Sequence, residues 1–353
     1  MCGRQGLTNP RPEGHADADD LTTKPQRGPG LGGGGRRFPR WTTVSVCASQ
    51  PAPGAAARAP MKSAPADDSD VLALYDNGME QNEASVGRYY DTSIFEAELV
   101  RLTRDCPVER AITIRWLDRL APASAVVAEI GVGGGLYSEH LARKGCRLHL
   151  VDVSARLLES AAERLRAAGL GACIAGATRE SATCLASLPS GVFDTVLLLG
   201  PLYHLCALEA RRQAVAEAAR ILKPGGLLFA AGIYRLTYLR DFFRLFPHVA
   251  AERRGFHEGY LRDGNLDPEH APPIGFAHLS TSSEFRELFA SAFNELALVG
   301  VESFSMASQP AWNDLPPEEA EAWLDLIDIT GQTADGLSYS DHFLYIGRSR
   351  AGN

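Results

Sequence analysis

The residues of this chain best placed to do chemistry are Glu129, Gly131, Gly133, Gly134, Gly135 and Asp152. A carboxylate sits two residues ahead of a glycine-rich stretch, and a second one closes the next apolar run. Glycines let a backbone approach a ligand closely and take φ values closed to other residues. An acid at the end of the second run accepts hydrogen bonds from a ribose diol. The stretch fails as a dinucleotide fingerprint. Counted from Gly131, the third glycine of G-x-G-x-x-G falls on Leu136. A carboxylate beside the turn repels a pyrophosphate but suits a cationic, amine-bearing ligand.

These residues need elements to hold them. Val126 to Ile130 reads as a buried strand and Leu136 to Lys144 as a helix. Further strands are predicted at 147–152, 171–175, 193–199 and 227–233, with helices near 135–145, 154–168, 179–187 and 207–222. Such alternation builds a parallel sheet with helices on both faces. Its ligands bind at the carboxyl ends of the strands. The glycine turn, Asp152, Thr178 and the Gly200–His204 loop all fall on that edge. Arg211, Arg212, Glu217 and Arg220 are assigned to the solvent side of the 207–222 helix. Residues 70–120 read as helices, with Leu72, Leu74, Tyr75 and Met79 on one face. Thr281-Ser282-Ser283-Glu284 is a capping box opening a helix to Phe293, and Pro316-Pro317 starts another through Ile329. Val299 to Phe304 and His342 to Gly347 read as the last strands.

Around these motifs the chain resembles the class I S-adenosylmethionine (SAM)-dependent methyltransferases. Glu129, Gly131, Gly133 and Gly135 match that family's first motif, and Asp152 matches its ribose-binding acid. Phe193 to Leu205 is similar to its fourth strand and following loop, and Leu222-Lys223-Pro224-Gly225-Gly226 to the turn before its fifth strand. The Gly200-Pro201-Leu202-Tyr203-His204-Leu205 wording resembles a small-molecule, quinone-biosynthesis-like branch. The resemblance covers roughly residues 70 to 348. It implies a Rossmann-like, mostly parallel seven-stranded sheet, with the last two strands antiparallel at its edge and a lid inserted after strand five. It implies SAM as cofactor, held by Glu129, Gly131, Gly133, Gly135, Asp152, Val153, Thr178, Leu199 and Gly200. One departure stands out. Ala177 occupies the position of an acid that often holds the adenine amino group, so that contact passes to Thr178 or a backbone carbonyl.

Composition excludes several classes. The chain has 353 residues and a net charge of −8. Residues 1–60 carry eight Lys and Arg against four Asp and Glu, a net of +4, so the remainder carries −12. An acidic body disfavours a polyanionic acceptor such as tRNA or DNA. Seven cysteines without a C-x-x-C point away from a zinc site and from a disulfide framework. No metal is expected. No apolar run is long enough to span a membrane.

Residues 1–60 hold ten glycines and eight prolines without periodicity and are expected not to fold. They read as a transit peptide for organelle import, a tail, or translated upstream sequence with the working start at Met61. The abrupt change of text at Met61 favours the last. A helical cap is expected over 61–122 and a methyltransferase domain over 123–350, placed in the cytoplasm. The aromatic-rich stretch 234–292, which also carries His257, His270 and His278, resembles an acceptor lid.

His204, just after strand four, is the leading candidate for a general base. Tyr75, Tyr90, Tyr203, Tyr234, Arg235 and Tyr238 are candidates to line the acceptor pocket. Enzymes that methylate exocyclic base amines carry [DN]-P-P-[YFW] after strand four. Here the four residues are Gly200-Pro201-Leu202-Tyr203, without the polar first residue. A small organic acceptor is expected, with a non-enzymatic SAM-binding protein as the alternative and an RNA or protein methyltransferase behind it.

Overall fold

The computed structural model describes residues 84–267 and 276–350. The 1–60 stretch, the proposed start at Met61, Tyr75 and His270 lie outside the described residues.

The described chain opens with helical segments: α1 over residues 84–92, α2 (Phe95–Val100) and α3 (Pro107–Leu120). A π-helical turn, Arg101–Asp105, joins the last two. The alternating body follows as β1 (Val126–Ile130), α4 (Leu136–Arg143), β2 (Arg147–Asp152), α5 (Ala155–Ala167), β3 (Ile174–Arg179), β4 (Phe193–Leu198), α6 (Leu208–Ile221) and β5 (Leu222–Ile233). Beyond it lie α7 (Leu236–Leu245), α8 (Arg254–Asp263), a small hairpin of β6 (Asn265–Leu266) and β7 (Ala277–His278), and α9 (Ser282–Phe289). The chain closes with β8 (Phe293–Gly300), α10 (Pro317–Gly331), α11 (Ala334–Tyr339) and β9 (His342–Ser349).

Seven strands form one sheet in the order β3-β2-β1-β4-β5-β9-β8. The first five run parallel. β9 lies antiparallel between β5 and β8. β8 therefore points the same way as β5, and β9 alone is reversed. This refines the expectation that both last strands run antiparallel.

The strands read as near-continuous apolar runs because both faces are covered. Val127, Leu148, Leu150, Leu197 and Phe229 face α3, α4, α5 and α10. Ala128, Val151, Val196, Leu198 and Leu228 face α6, α9 and the 182–188 loop. A third cluster, Tyr238, Tyr260, Leu266, Ala277 and Leu279, packs the insertion after β5 against Tyr203.

Four expectations are corrected. The strand predicted at 171–175 lies at Ile174–Arg179. The helix predicted over 179–187 is a loop with a Ser181–Cys184 bridge. Glu180 accepts from the Ser187 N–H at 2.9 Å and Glu217 from the Leu185 N–H at 2.9 Å, so side chains satisfy the backbone in place of helical bonds. The capping box does form, but its helix ends at Phe289, and Phe293 opens β8. Finally, the charged face of α6 is not uniformly solvated. Arg211 is buried, and Arg220 donates to the Leu185 and Leu188 carbonyls, both at 2.9 Å.

Candidate functional site

β1 delivers Glu129 and Gly131 to the carboxyl edge of the sheet, and β2 delivers Asp152 beside them through the pairing of Glu129 with Leu150 and Ile130 with Val151. The turn between β1 and α4 uses positive φ at Gly131 (78°), Gly133 (52°) and Gly135 (72°). Close packing dictates two of these. A Cβ on Gly131 would lie 2.7 Å from the Pro201 ring, and one on Gly135 would lie 2.9 Å from Cα of Ala161. Gly133 opens instead toward the cap, where a Cβ would stand 3.2 Å from Oε1 of Glu98.

Around this turn lies a cavity. Its walls include Tyr90, Glu98 and Arg101 from the cap, Glu129, Gly131, Gly133, Asp152 and Val153 from the first two strands, and Leu199, Gly200, Tyr203 and His204 after β4. The cap is tied down beside it: the Ser154 hydroxyl at the N-terminus of α5 donates to Asp91 at 2.5 Å.

Two carboxylates are held deep in this site. Glu129 is 1% exposed and accepts a hydrogen bond from the Ser138 hydroxyl. Burial, with the charge of Asp152 adding to it, pushes Glu129 up to about 8. Asp152 accepts the Ser154 N–H at 2.8 Å and the Gly133 N–H at 3.3 Å. Burial still raises it to about 6, with Glu98 contributing. A buried pair of this kind is suited to a ligand that brings positive charge and hydroxyl donors.

Glu98 and Arg101 extend the site into a buried ion network. Arg101 meets Glu98 at 3.4 Å and Glu109 at 2.6 Å. His342, at the start of β9, bonds Glu302 through Nδ1 at 2.6 Å and stands 3.7 Å from Glu109. Burial opposes charge on His342, but Glu109 and Glu302 outweigh it and raise its pKa. Burial likewise pushes Glu109 up, and Arg101 and His342 override it and hold it low. Glu109, Glu302 and His342 have the donor types of a metal site. Arg101 and His342 are the cations set among the three carboxylates of Glu98, Glu109 and Glu302.

His204 sits in the turn after β4. Its Nδ1 is 3.2 Å from the Phe276 carbonyl and its Nε2 is 2.8 Å from the Tyr90 hydroxyl. The carbonyl can only accept, so Nδ1 carries the hydrogen and Nε2 accepts from Tyr90. Burial pushes His204 down to about 4, leaving it neutral.

The expected residues therefore divide. Glu129, Gly131, Gly133, Asp152, Val153, Leu199, Gly200, Tyr90, Tyr203 and His204 line one cavity. Gly135 instead packs on α5. Thr178 is not among the lining residues; Glu180 and Ser181 line the cavity at the end of β3. Tyr234, Arg235 and Tyr238 also do not line it. Arg235 is a buried brace that pairs with Glu284 at 2.6 Å and donates to the Leu279 carbonyl at 3.0 Å. Tyr238 packs within the insertion after β5, tilted against Phe242 and edge-on to Tyr260. Sequence reasoning missed Glu98, Arg101, Glu180 and Ser181. Placing β3 three residues later would have brought out the last two.

Comparison with known proteins adds a name to this geometry. Residues 128–230 match the family described as "Methyltransferase domain". The ubiquinone biosynthesis O-methyltransferase of Xanthomonas axonopodis is 35% identical over 117 residues, which are 33% of this chain and 46% of that protein. The protein of the same name from Methylococcus capsulatus is 29% identical over 195 residues, 50% of this chain and 80% of that one. The chain thus spans about half the length of the first of these relatives. Among solved structures, the N-methyltransferase NodS from Bradyrhizobium japonicum in complex with S-adenosyl-L-homocysteine is similar at 20% identity. That match covers 72% of this chain and 95% of NodS, with a TM-score of 0.43. Residues 128–230 thus carry a methyltransferase domain.

Proposed function

We propose that this protein transfers the methyl group of SAM to an ionisable hydroxyl of a small organic acceptor. The observation that carries the reading is the Tyr90–His204 hydrogen bond at the cavity wall. When bound, SAM supplies a methyl group made electrophilic by its sulfonium. Glu129 serves the ammonium at the amino-acid end, and Asp152 serves the ribose hydroxyls. Gly133, facing Glu98 rather than a bulky wall, leaves room at the turn.

The remaining task is to remove the acceptor's proton, and here the expected role of His204 changes. Tyr90 occupies the lone pair of Nε2. A hydroxyl docked at Tyr90 passes its proton to the Tyr90 oxygen as the Tyr90 proton moves to Nε2. The Phe276 carbonyl keeps the imidazole in the tautomer that can receive it. Tyr90 is the group that touches the acceptor, and His204 stores the proton. The O-methyl transfer for which the relatives are named agrees with an oxygen nucleophile. The acidic body and the absent [DN]-P-P-[YFW] support a small molecule over a nucleic acid.

Incubation with methyl-labelled SAM and separate metabolite, RNA and protein pools tests the reading. Label should enter the metabolite pool. Binding without turnover would favour a SAM-binding protein, and label confined to RNA or protein would defeat a small acceptor. Tyr90→Phe should lower kcat by roughly 10²- to 10⁴-fold, the usual worth of a positioned base. His204 is pushed down to about 4, so it loses its proton-accepting form only below that pH. The acid limb of kcat at saturating SAM should therefore lie near pH 4. A limb near 6.5 would show an unburied histidine at work.

The cap over 61–122 and the catalytic body over 123–350 are proposed as the working protein. A chain beginning at Met61 should keep the melting temperature and SAM affinity of the full-length protein. A drop of several degrees on removing residues 1–60 would assign that stretch a docking role. Among the described residues no helix is long and apolar enough to cross a membrane.

A further inference from the structure

Behind the loop that carries His204 lies a second cavity, of about 490 Å³, walled by α6, α9 and the ends of α8 and β7. Its lining includes three buried polar side chains, Arg211, His278 and Ser280, exposed by 6%, 5% and 4%. Arg211 donates through Nη1 to the carbonyls of Leu205 at 2.6 Å and Cys206 at 2.8 Å. Among the described residues no carboxylate accepts a hydrogen bond from this guanidinium. The nearby Glu284 is engaged with Arg235 at 2.6 Å and with the Thr281 N–H at 2.8 Å. A buried cation without a hydrogen-bonded counterion is costly, and burial drags Arg211 down to about 10.

His278 complements it. Its Nδ1 is 2.9 Å from the Asn265 side-chain oxygen and donates to it. Burial, reinforced by Arg211 and Arg235, pushes the imidazole down to about 3, so it is neutral. Nε2 then carries a lone pair. The rim mixes signs: Arg212 pairs with Glu209 at 3.5 Å, and Arg262, Asp263 and Glu287 complete it.

We propose that this cavity binds a small organic acid that carries a hydroxyl beside its carboxylate. The carboxylate meets the planar guanidinium of Arg211, which suits bidentate recognition. The hydroxyl donates to Nε2 of His278. A plain anion supplies the first contact but sets an oxygen lone pair against the nitrogen lone pair of His278. The combination of an unmatched buried guanidinium with an acceptor nitrogen therefore selects a hydroxy acid. The proposal does not rest on methyl transfer, because these residues lie outside the SAM cavity.

Lactate and propionate differ in that hydroxyl and make the test, titrated into the full-length protein by ligand-detected NMR. Lactate should saturate one site, and propionate should bind about fivefold more weakly, the worth of one net hydrogen bond. Arg211→Gln should abolish lactate saturation. Because Arg211 also holds the Leu205–Cys206 backbone, Ala216→Trp is read beside it. Ala216 is an exposed position on α6 that lines the cavity, and an indole there takes up cavity space while leaving Arg211, His278 and Ser280 in the sequence. It should abolish lactate binding and leave SAM affinity unchanged. Failure of lactate to saturate the wild-type protein, or unchanged saturation in Ala216→Trp, would overturn the proposal. So would equal affinity for propionate, or tighter binding of inorganic phosphate than of lactate.

Discussion

Glu129→Gln is expected to weaken SAM binding and to stabilise the ligand-free protein at alkaline pH. Burial raises Glu129 from an ordinary value of 4.5 to about 8. A group whose folded pKa lies above its unfolded one contributes stability that is fully present below the unfolded value. That contribution is lost as pH rises through the folded value. The wild-type protein should therefore lose stability between about pH 5 and pH 8 as the carboxyl is forced to ionise. Glutamine keeps a neutral, hydrogen-bonding group beside Ser138 at every pH, so the variant should melt higher than wild type at pH 9. In the proposed role of Glu129 the ammonium of SAM needs the carboxylate. Losing one charge-assisted hydrogen bond costs roughly 1.5–3 kcal/mol, or about 10- to 150-fold in affinity. Binding to wild type should also release protons at pH 7 and weaken as pH falls below 8. Calorimetry in buffers of different ionisation enthalpy, with thermal melts at pH 6 and 9, reads all of this. Wild-type affinity in the variant would remove Glu129 from the cofactor site.

The largest loss of stability is expected from Glu302→Ala. Glu302 is wholly buried and accepts from both Nδ1 and the backbone N–H of His342, at 2.6 and 3.0 Å. Removing one member of a buried ion pair costs about 3–5 kcal/mol because the partner is left uncompensated. For a body of this size each kcal/mol moves the melting temperature by about 2–4 °C, so a fall on the order of 10 °C follows. Its pH dependence has a definite sign. The raised pKa of His342 means that its pairing contributes fully below its ordinary value and is lost as pH rises through the folded one. The deficit of the variant should therefore be greater at pH 6 than at pH 9. Equal melting temperatures at pH 6 would show that the network contributes no net stability.

The legibility of the sequence followed the range of the interactions. β1, β2, β4 and α6 were read within a residue or two, because their apolar runs are uninterrupted and capped by turn residues. Glu129, Gly131, Gly133 and Asp152 were legible because their spacing along one strand–turn–helix–strand unit is itself the signal. The 179–187 segment misled: Ala182, Leu185 and Leu188 repeat with helical spacing and are buried, yet they hang from a loop whose N–H groups are taken by Glu180 and Glu217. Arg211 and Arg235 were placed at the surface or at the substrate, because a sequence does not show which remote carbonyls a guanidinium will find. The network of Arg101, Glu109, Glu302 and His342 was invisible for the same reason. Its members come from opposite ends of the described chain and meet only once the sheet is complete.

The reversed strand β9 carries a consequence for how this protein is born on the ribosome. β8 touches the sheet only through β9, so when β8 is synthesised it has no neighbour to pair with, and a strand-wide gap beside β5 must stay open. β9 fills that gap and brings His342 to Glu109 at the same stroke. Until then the nascent chain holds two bare strand edges, the exposure that invites aggregation, and the cap lacks its anchor. The anchoring of Glu109, in the cap beside the pocket, thus waits for the last strand described.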